Sequence, residues 1–92
     1  MRIKELSIIK SDERGIIYDC DVVKLIVRHK GSIGADHFHE QEEILYLIEG
    51  EIEMTVGEEV KNIKAPVKIE ITAGLYHKVV ALSEIKLLEI RV

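Results

Sequence analysis

The sequence predicts an all-β fold, a sandwich or barrel built from many short strands. Three observations carry that expectation. Apolar and polar residues alternate in short runs, turn-forming residues interrupt the chain roughly every 6–12 positions, and no stretch shows a ten-residue helical stripe. The hydrophobic fraction of 47% comes with one Phe, three Tyr and no Trp. The core is therefore aliphatic, and an abundance of Ile and Val favours pleated strands.

In chain order, Arg2 to Lys10 reads as a first strand with a ragged alternation of Ile3, Leu6, Ile8 and Ile9. Ser11–Gly15 is a turn, Ile16–Tyr18 a short strand, and Asp19-Cys20-Asp21 a break. Val22–His29 is a strand in which Val23, Leu25, Val27 and His29 share one face and Val22, Lys24, Ile26 and Arg28 the other. The first face is the apolar one, which puts His29 on the cavity side or at its rim. Lys30–Gly34 is a glycine-bearing turn. It lacks the Gly-Lys-Ser/Thr ending and the following helix of a phosphate-cradling loop, so turn geometry accounts for it.

The next strand carries His37 and His39, and the apolar run Ile44–Ile48 follows Glu43. Gly50 reads as a hairpin turn into Glu51–Val56, where Ile52, Met54 and Val56 alternate with Glu51, Glu53 and Thr55. Gly57-Glu58-Glu59 turns again, Val60–Ile63 is short, and Ala65-Pro66 breaks the chain before Val67–Thr72. Ala73-Gly74 precedes a strand in which His77, Val79 and Ala81 share a face. After Ser83-Glu84, Ile85–Val92 closes the chain.

Ninety-two residues fit one compact domain, 1–92, near the small end of what buries its own core. The net charge is −4, from 13 basic and 17 acidic residues that are interspersed rather than blocked, which excludes a nucleic-acid stripe. A single cysteine, Cys20, forms no intrachain disulfide and fits a reducing compartment. Flanked by two aspartates with no identifiable base, it makes a poor catalytic thiol. The charged start Met-Arg-Ile-Lys-Glu-Leu is no signal-peptide core, and no run reaches membrane-spanning length, so the expectation is a cytoplasmic protein without a membrane partner. Few side-chain amides beside many Glu, Lys and Ile lean towards a thermophilic source.

The chemistry concentrates between Gly31 and Gly50. His37 and His39 stand two residues apart, a spacing that puts both imidazoles on one face of a strand. Glu43 follows across a bend, and His77 lies far downstream in another strand. Three imidazoles and a carboxylate suit a divalent transition metal ion, Mn, Fe, Co, Ni, Cu or Zn. Asp36, Glu40 and Glu42 read as solvated neighbours. Phe38 reads as packing outside the wall, and Tyr46 and Tyr76 as phenols near a mouth or as packing rings.

The residues Gly31, His37, His39, Glu43 and Gly50 resemble the first motif of the cupin superfamily, G-x5-HxH-x3,4-E-x6-G. A second motif, G-x5-PxG-x2-H-x3-N, is partly matched. Gly74 and His77 carry its G-x2-H core, while Pro66, Thr72 and Ala81 stand where that family has glycine, proline and asparagine. Fifteen residues, Glu51–Ala65, separate the two, as in the shortest cupin domains. The resemblance implies a cupin-type double-stranded β-helix (jelly-roll) barrel, with a metal inside near one mouth held by His37, His39, Glu43 and His77.

It also implies a homodimer that pairs sheets or exchanges N-terminal strands, and a small-molecule ligand. The implied activity is that of an oxygenase, isomerase or decarboxylase, with a non-catalytic metal-dependent binding or regulatory module as the alternative. A phosphate clamp is not expected, because Arg28, Lys30 and Lys78 show no convergence in the sequence.

Overall fold

The computed structural model describes residues 1–38 and 41–91, with the side chains of 35–38 and 91 outside that description. Among the described residues ten strands run as β1 (Ser7–Asp12), β2 (Gly15–Cys20), β3 (Val23–Arg28), β4 (Ile33–Phe38), β5 (Glu43–Glu49), β6 (Glu51–Val56), β7 (Glu59–Lys64), β8 (Val67–Ile71), β9 (Tyr76–Ala81) and β10 (Ile85–Arg91). They form two antiparallel sheets, one of order β1-β2-β3-β10-β5-β8 and one of order β4-β9-β6-β7. All-β is therefore the observed class.

The expected closed barrel is not formed. A barrel needs an unbroken ladder, whereas among the described residues the hydrogen bonding stops at four edge strands: β1 and β8 in one sheet, β4 and β7 in the other. Packing joins the sheets instead. One apolar cluster takes Ile26, Leu45, Leu47, Ile71, Ile85 and Leu87 from the larger sheet and Ile52, Met54, Val79 and Ala81 from the smaller.

The register shows which faces are inward. Across the larger sheet, Ile17 pairs with Ile26, Ile26 with Leu87, and Leu87 with Leu47, a row that ends on the core. On β3 the buried residues are Ile26 and Arg28, so the even face is inward and the wholly apolar odd face is outward. The outward row runs Ile8, Tyr18, Leu25, Leu88, Tyr46, Lys68 across all six strands.

Three other boundaries differ from expectation. The first strand begins at Ser7 rather than near Arg2, and β2 continues through Cys20 to a turn at Asp21, whose φ is 65°. Gly50 is not a hairpin turn. β5 and β6 lie in different sheets, so Gly50 is a one-residue corner between layers. Its φ of 94°, together with the close approach of the Glu84 carbonyl oxygen, admits only glycine without strain.

Candidate metal centre and cavity

Glu43 opens β5, and strand alternation places it inward with Leu45 and Leu47. On β9 the same alternation buries His77, Val79 and Ala81. The two sheets thereby bring Glu43 and His77 together. Both are 1% exposed, and Oε2 of Glu43 stands 3.4 Å from Nε2 of His77.

The other ring nitrogen of His77, Nδ1, is 3.4 Å from the carbonyl oxygen of Leu75. A carbonyl can only accept, so this contact favours the proton on Nδ1 and turns the Nε2 lone pair towards the carboxylate. With Nε2 protonated as well, the contact is an ion pair; with Nε2 bare, the two groups present a pair of donor atoms to a cation. Two donors each about 2.1 Å from a tetrahedral ion stand about 3.4 Å apart, so this pair fits a shared divalent metal.

His37 pairs directly across from His77 in the β4–β9 ladder. The ladder slips by one residue between the Gly34–Val79 and His37–His77 pairs, an irregularity of the kind that re-aims a strand beside a site. The side chain of His37, and His39 altogether, lie outside the described residues, as do Glu40 and the side chains of Asp36 and Phe38. Among the described residues no group of three or more His, Cys, Asp or Glu side chains clusters in a metal-like arrangement.

The remaining candidates sort by position. Glu42 is exposed, as its alternation with the inward Glu43 predicts. His29 does not line the interior. It sits at the rim, 59% exposed, with Nδ1 3.0 Å from Glu84 Oε2. Tyr46 lies on the outer face of the larger sheet, where Lys68 Nζ stands 5.9 Å from its ring centre. Tyr76 alternates with the buried His77 and so leaves the interior too.

A cavity of about 200 Å³ runs between the sheets. Leu45, Val79, Ala81, Ile85 and Leu87 supply its apolar wall, and Glu43 reaches it. Its polar lining includes Arg14, Lys24, Arg28 and Glu89, and sequence reasoning missed that these converge. Of the three cations singled out from the sequence, Arg28 alone lines the cavity, and Arg14 and Lys24 join it there. Their convergence was hidden because β2 and β3 bring them together only when the even face of β3 turns inward.

Arg14 is tied by its own turn. Its guanidinium Nη2 donates to Asp12 Oδ2 at 2.9 Å and its backbone N–H to Asp12 Oδ1 at 2.9 Å. These bonds hold the Asp12 carboxyl down at about 2. Arg28 is 9% exposed, and burial, followed by the neighbouring Arg14 charge, pushes its guanidinium below the ordinary value.

Among the described residues no helix is long and apolar enough to cross a membrane. A family model described as "Cupin domain" matches residues 24–91. The sequence matches none of the curated proteins compared with it.

Among solved structures, a conserved protein of unknown function from Streptococcus pyogenes is 20% identical, with a TM-score of 0.72 over 76% of this chain and 61% of its own. An RmlC-like cupin from Shewanella frigidimarina is 23% identical, with a TM-score of 0.71 over 75% of this chain and 62% of its own. A salicylate 1,2-dioxygenase mutant from Pseudoaminobacter salicylatoxidans is 9% identical, with a TM-score of 0.71 over 82% of this chain and 21% of its own. The chain thus spans about three fifths of the first two relatives and a smaller part of the third. At these identities the likeness establishes the fold.

Proposed function

The chain belongs to the cupin family, and from that premise we propose that it binds a divalent transition metal ion and takes a small organic molecule into the cavity between its sheets. The ligands are His37, His39, Glu43 and His77. The observation that carries this reading is the buried meeting of Glu43 with His77 across two sheets, beside a cavity that Glu43 also lines. Burial of a carboxylate and an imidazole at 1% exposure is costly unless something compensates it, and a shared metal ion is one such compensation.

When bound, such an ion supplies Lewis acidity, and with an iron-like metal redox chemistry as well. The chain itself contributes the shaped, largely apolar recess that holds the organic molecule and limits water. The reactions open to this arrangement are oxygenation, isomerisation and decarboxylation. One observation favours the alternative of metal-dependent binding without turnover: neither His29 nor Tyr76, the candidate bases, lines the cavity.

Elemental analysis of metal-replete wild type, His37→Ala and His77→Ala tests the metal site. Loss of stoichiometric metal in both variants is expected, and equal metal in all three would overturn the four-ligand set. Oxygen uptake and product analysis across Fe-, Mn- and Zn-loaded protein separate turnover from binding. A homodimer remains part of the proposal, with its contact on the outer apolar row of the larger sheet. Monomeric mass in sedimentation equilibrium, or a dimer that survives Leu88→Glu, would overturn that placement.

A further inference from the structure

We infer that Arg28 is the anchor for the carboxylate of a small organic acid bound in the inter-sheet cavity. The inference deepens the proposed small-molecule reading by naming the ligand class, but the Arg28 contact itself does not depend on the metal.

Arg28 is nine-tenths buried and lines the cavity, and among the described residues its guanidinium makes no side-chain hydrogen bond or close ion pair. A guanidinium presents five donors in a planar fork and stays protonated, so one that opens onto a cavity offers several of them to an acceptor placed there. The other cavity cations are placed differently. Arg14 is bonded to Asp12 through both its guanidinium and its backbone. Lys24 stands opposite Glu89 in the β3–β10 register. Arg28 instead stands opposite Ile85, with Gly15 on its other side, neither of which offers a side-chain acceptor. The field of Arg14 disfavours its charge, while the more distant carboxylates of Asp12 and Glu89 partly offset that without bonding to it.

Space is left where the missing acceptor would sit. Gly34 on the facing sheet carries no side chain, and a Cβ there would lie 4.0 Å from Arg28 Nε. The cavity, about 200 Å³, is smaller than the roughly 300–1,000 Å³ of drug-sized sites, and its remaining wall is mostly aliphatic. One guanidinium with no bonded acceptor, a small apolar recess, Arg14 bonded to Asp12 and Lys24 set opposite Glu89 suit a monocarboxylate with a short carbon body. They suit a phosphate ester less well, because that dianion needs several free donors. Along β10, Arg28 lies beside Ile85 and Glu43 beside Arg91, so the carboxylate anchor and the proposed metal ligand occupy different ends of the lining.

The test titrates chelator-treated protein with propionate, pyruvate, propionamide and inorganic phosphate, following the Arg28 Nε–H signal by ¹⁵N NMR, and then repeats it on metal-loaded protein. Saturable shifts with both carboxylates, with and without metal, are expected, and none with the amide. Arg28→Met should weaken carboxylate binding about tenfold or more, the scale of a lost charged hydrogen bond. The same variant should melt higher than wild type, because it removes a buried charge and keeps the packing. A merely structural arginine would give the opposite shift.

Gly34→Val, which fills the space over Nε without removing the charge, should abolish binding and remain folded. It carries the test if Arg28→Met does not fold. Equal carboxylate affinity in Arg28→Met or Gly34→Val, equal binding of propionamide, or binding of phosphate alone would overturn the inference. Failure of metal loading with carboxylate binding intact would overturn the metal reading and leave this one standing.

Discussion

If Glu43 and His77 are held for ligation rather than for stability, removing one should be costly and removing both should not. In metal-free protein each group is 1% exposed, and breaking a buried charged pair by deleting one partner costs about 3–5 kcal/mol. For a domain of this size 1 kcal/mol shifts the melting temperature by about 4–8 °C, so Glu43→Leu or His77→Leu alone should melt about 12–40 °C lower. Among the described residues the pair has apolar neighbours on both strands. Ile71 faces Glu43 across β5–β8, and Val79 follows His77 on the inward face. The double variant should therefore recover most of the loss.

Metal reverses the order. At one hundred times its dissociation constant, a ligand bound to the native state adds about 2.7 kcal/mol, or about 11–22 °C for this chain, and only to protein that keeps its ligands. Calorimetric melting of wild type, both single variants and the double, each with EDTA and with excess metal, reads all of these quantities. A double variant no more stable than the singles would refute the reasoning about the pair. A metal-induced shift that survives in the double variant would refute the assignment of these two ligands.

Two further expectations follow from the frame around the site. At Gly50 a methyl would collide with the Glu84 carbonyl oxygen and lie 2.7 Å from both Ile85 Cγ2 and Ser83 Oγ, at a φ of 94°. Gly50→Ala should lower the urea midpoint by the equivalent of about 2 kcal/mol or more, and an unchanged midpoint would contradict the corner geometry. The Asp12 carboxyl is held at about 2, below its ordinary 3.8, by Arg14. A depressed folded value means stability that is complete above the ordinary value and is lost as the pH falls through about 2. Between pH 5 and 2, wild type should therefore lose more melting temperature than Asp12→Asn, and parallel profiles would show that the ion pair contributes nothing.

Much of the architecture was legible because strand alternation is a local signal. The runs Glu51–Val56, Val67–Ile71 and His77–Ala81 appear as strands with the inward faces expected of them. Connectivity between layers is not local. Gly50 separates two strands whether they pair with each other or part into different sheets, and nothing near it records that β5 joins β10 and β8 instead. The same limit explains the barrel. The motif residues predict which strands exist and what they carry, whereas closure depends on hydrogen bonds between strands far apart in sequence.

The inversion of β3 carries the functional lesson. Hydrophobicity alone turns Val23, Leu25 and Val27 inward, yet the structure turns in Lys24, Ile26 and Arg28. A pure packing interest would not make that choice, because burying a guanidinium and turning three aliphatic side chains outward are both costs. Two things make it consistent. The outward odd face continues an apolar row through Tyr18, Leu88 and Tyr46, which is a surface suited to a second sheet. The inward even face brings a cation into a cavity that Glu43 also lines. Where a sequence breaks its own hydrophobic pattern at a buried position, function is the usual reason. Among the described residues the breaks are Arg28 on β3, Glu43 on β5 and His77 on β9, and each of the three has a part in the proposed chemistry.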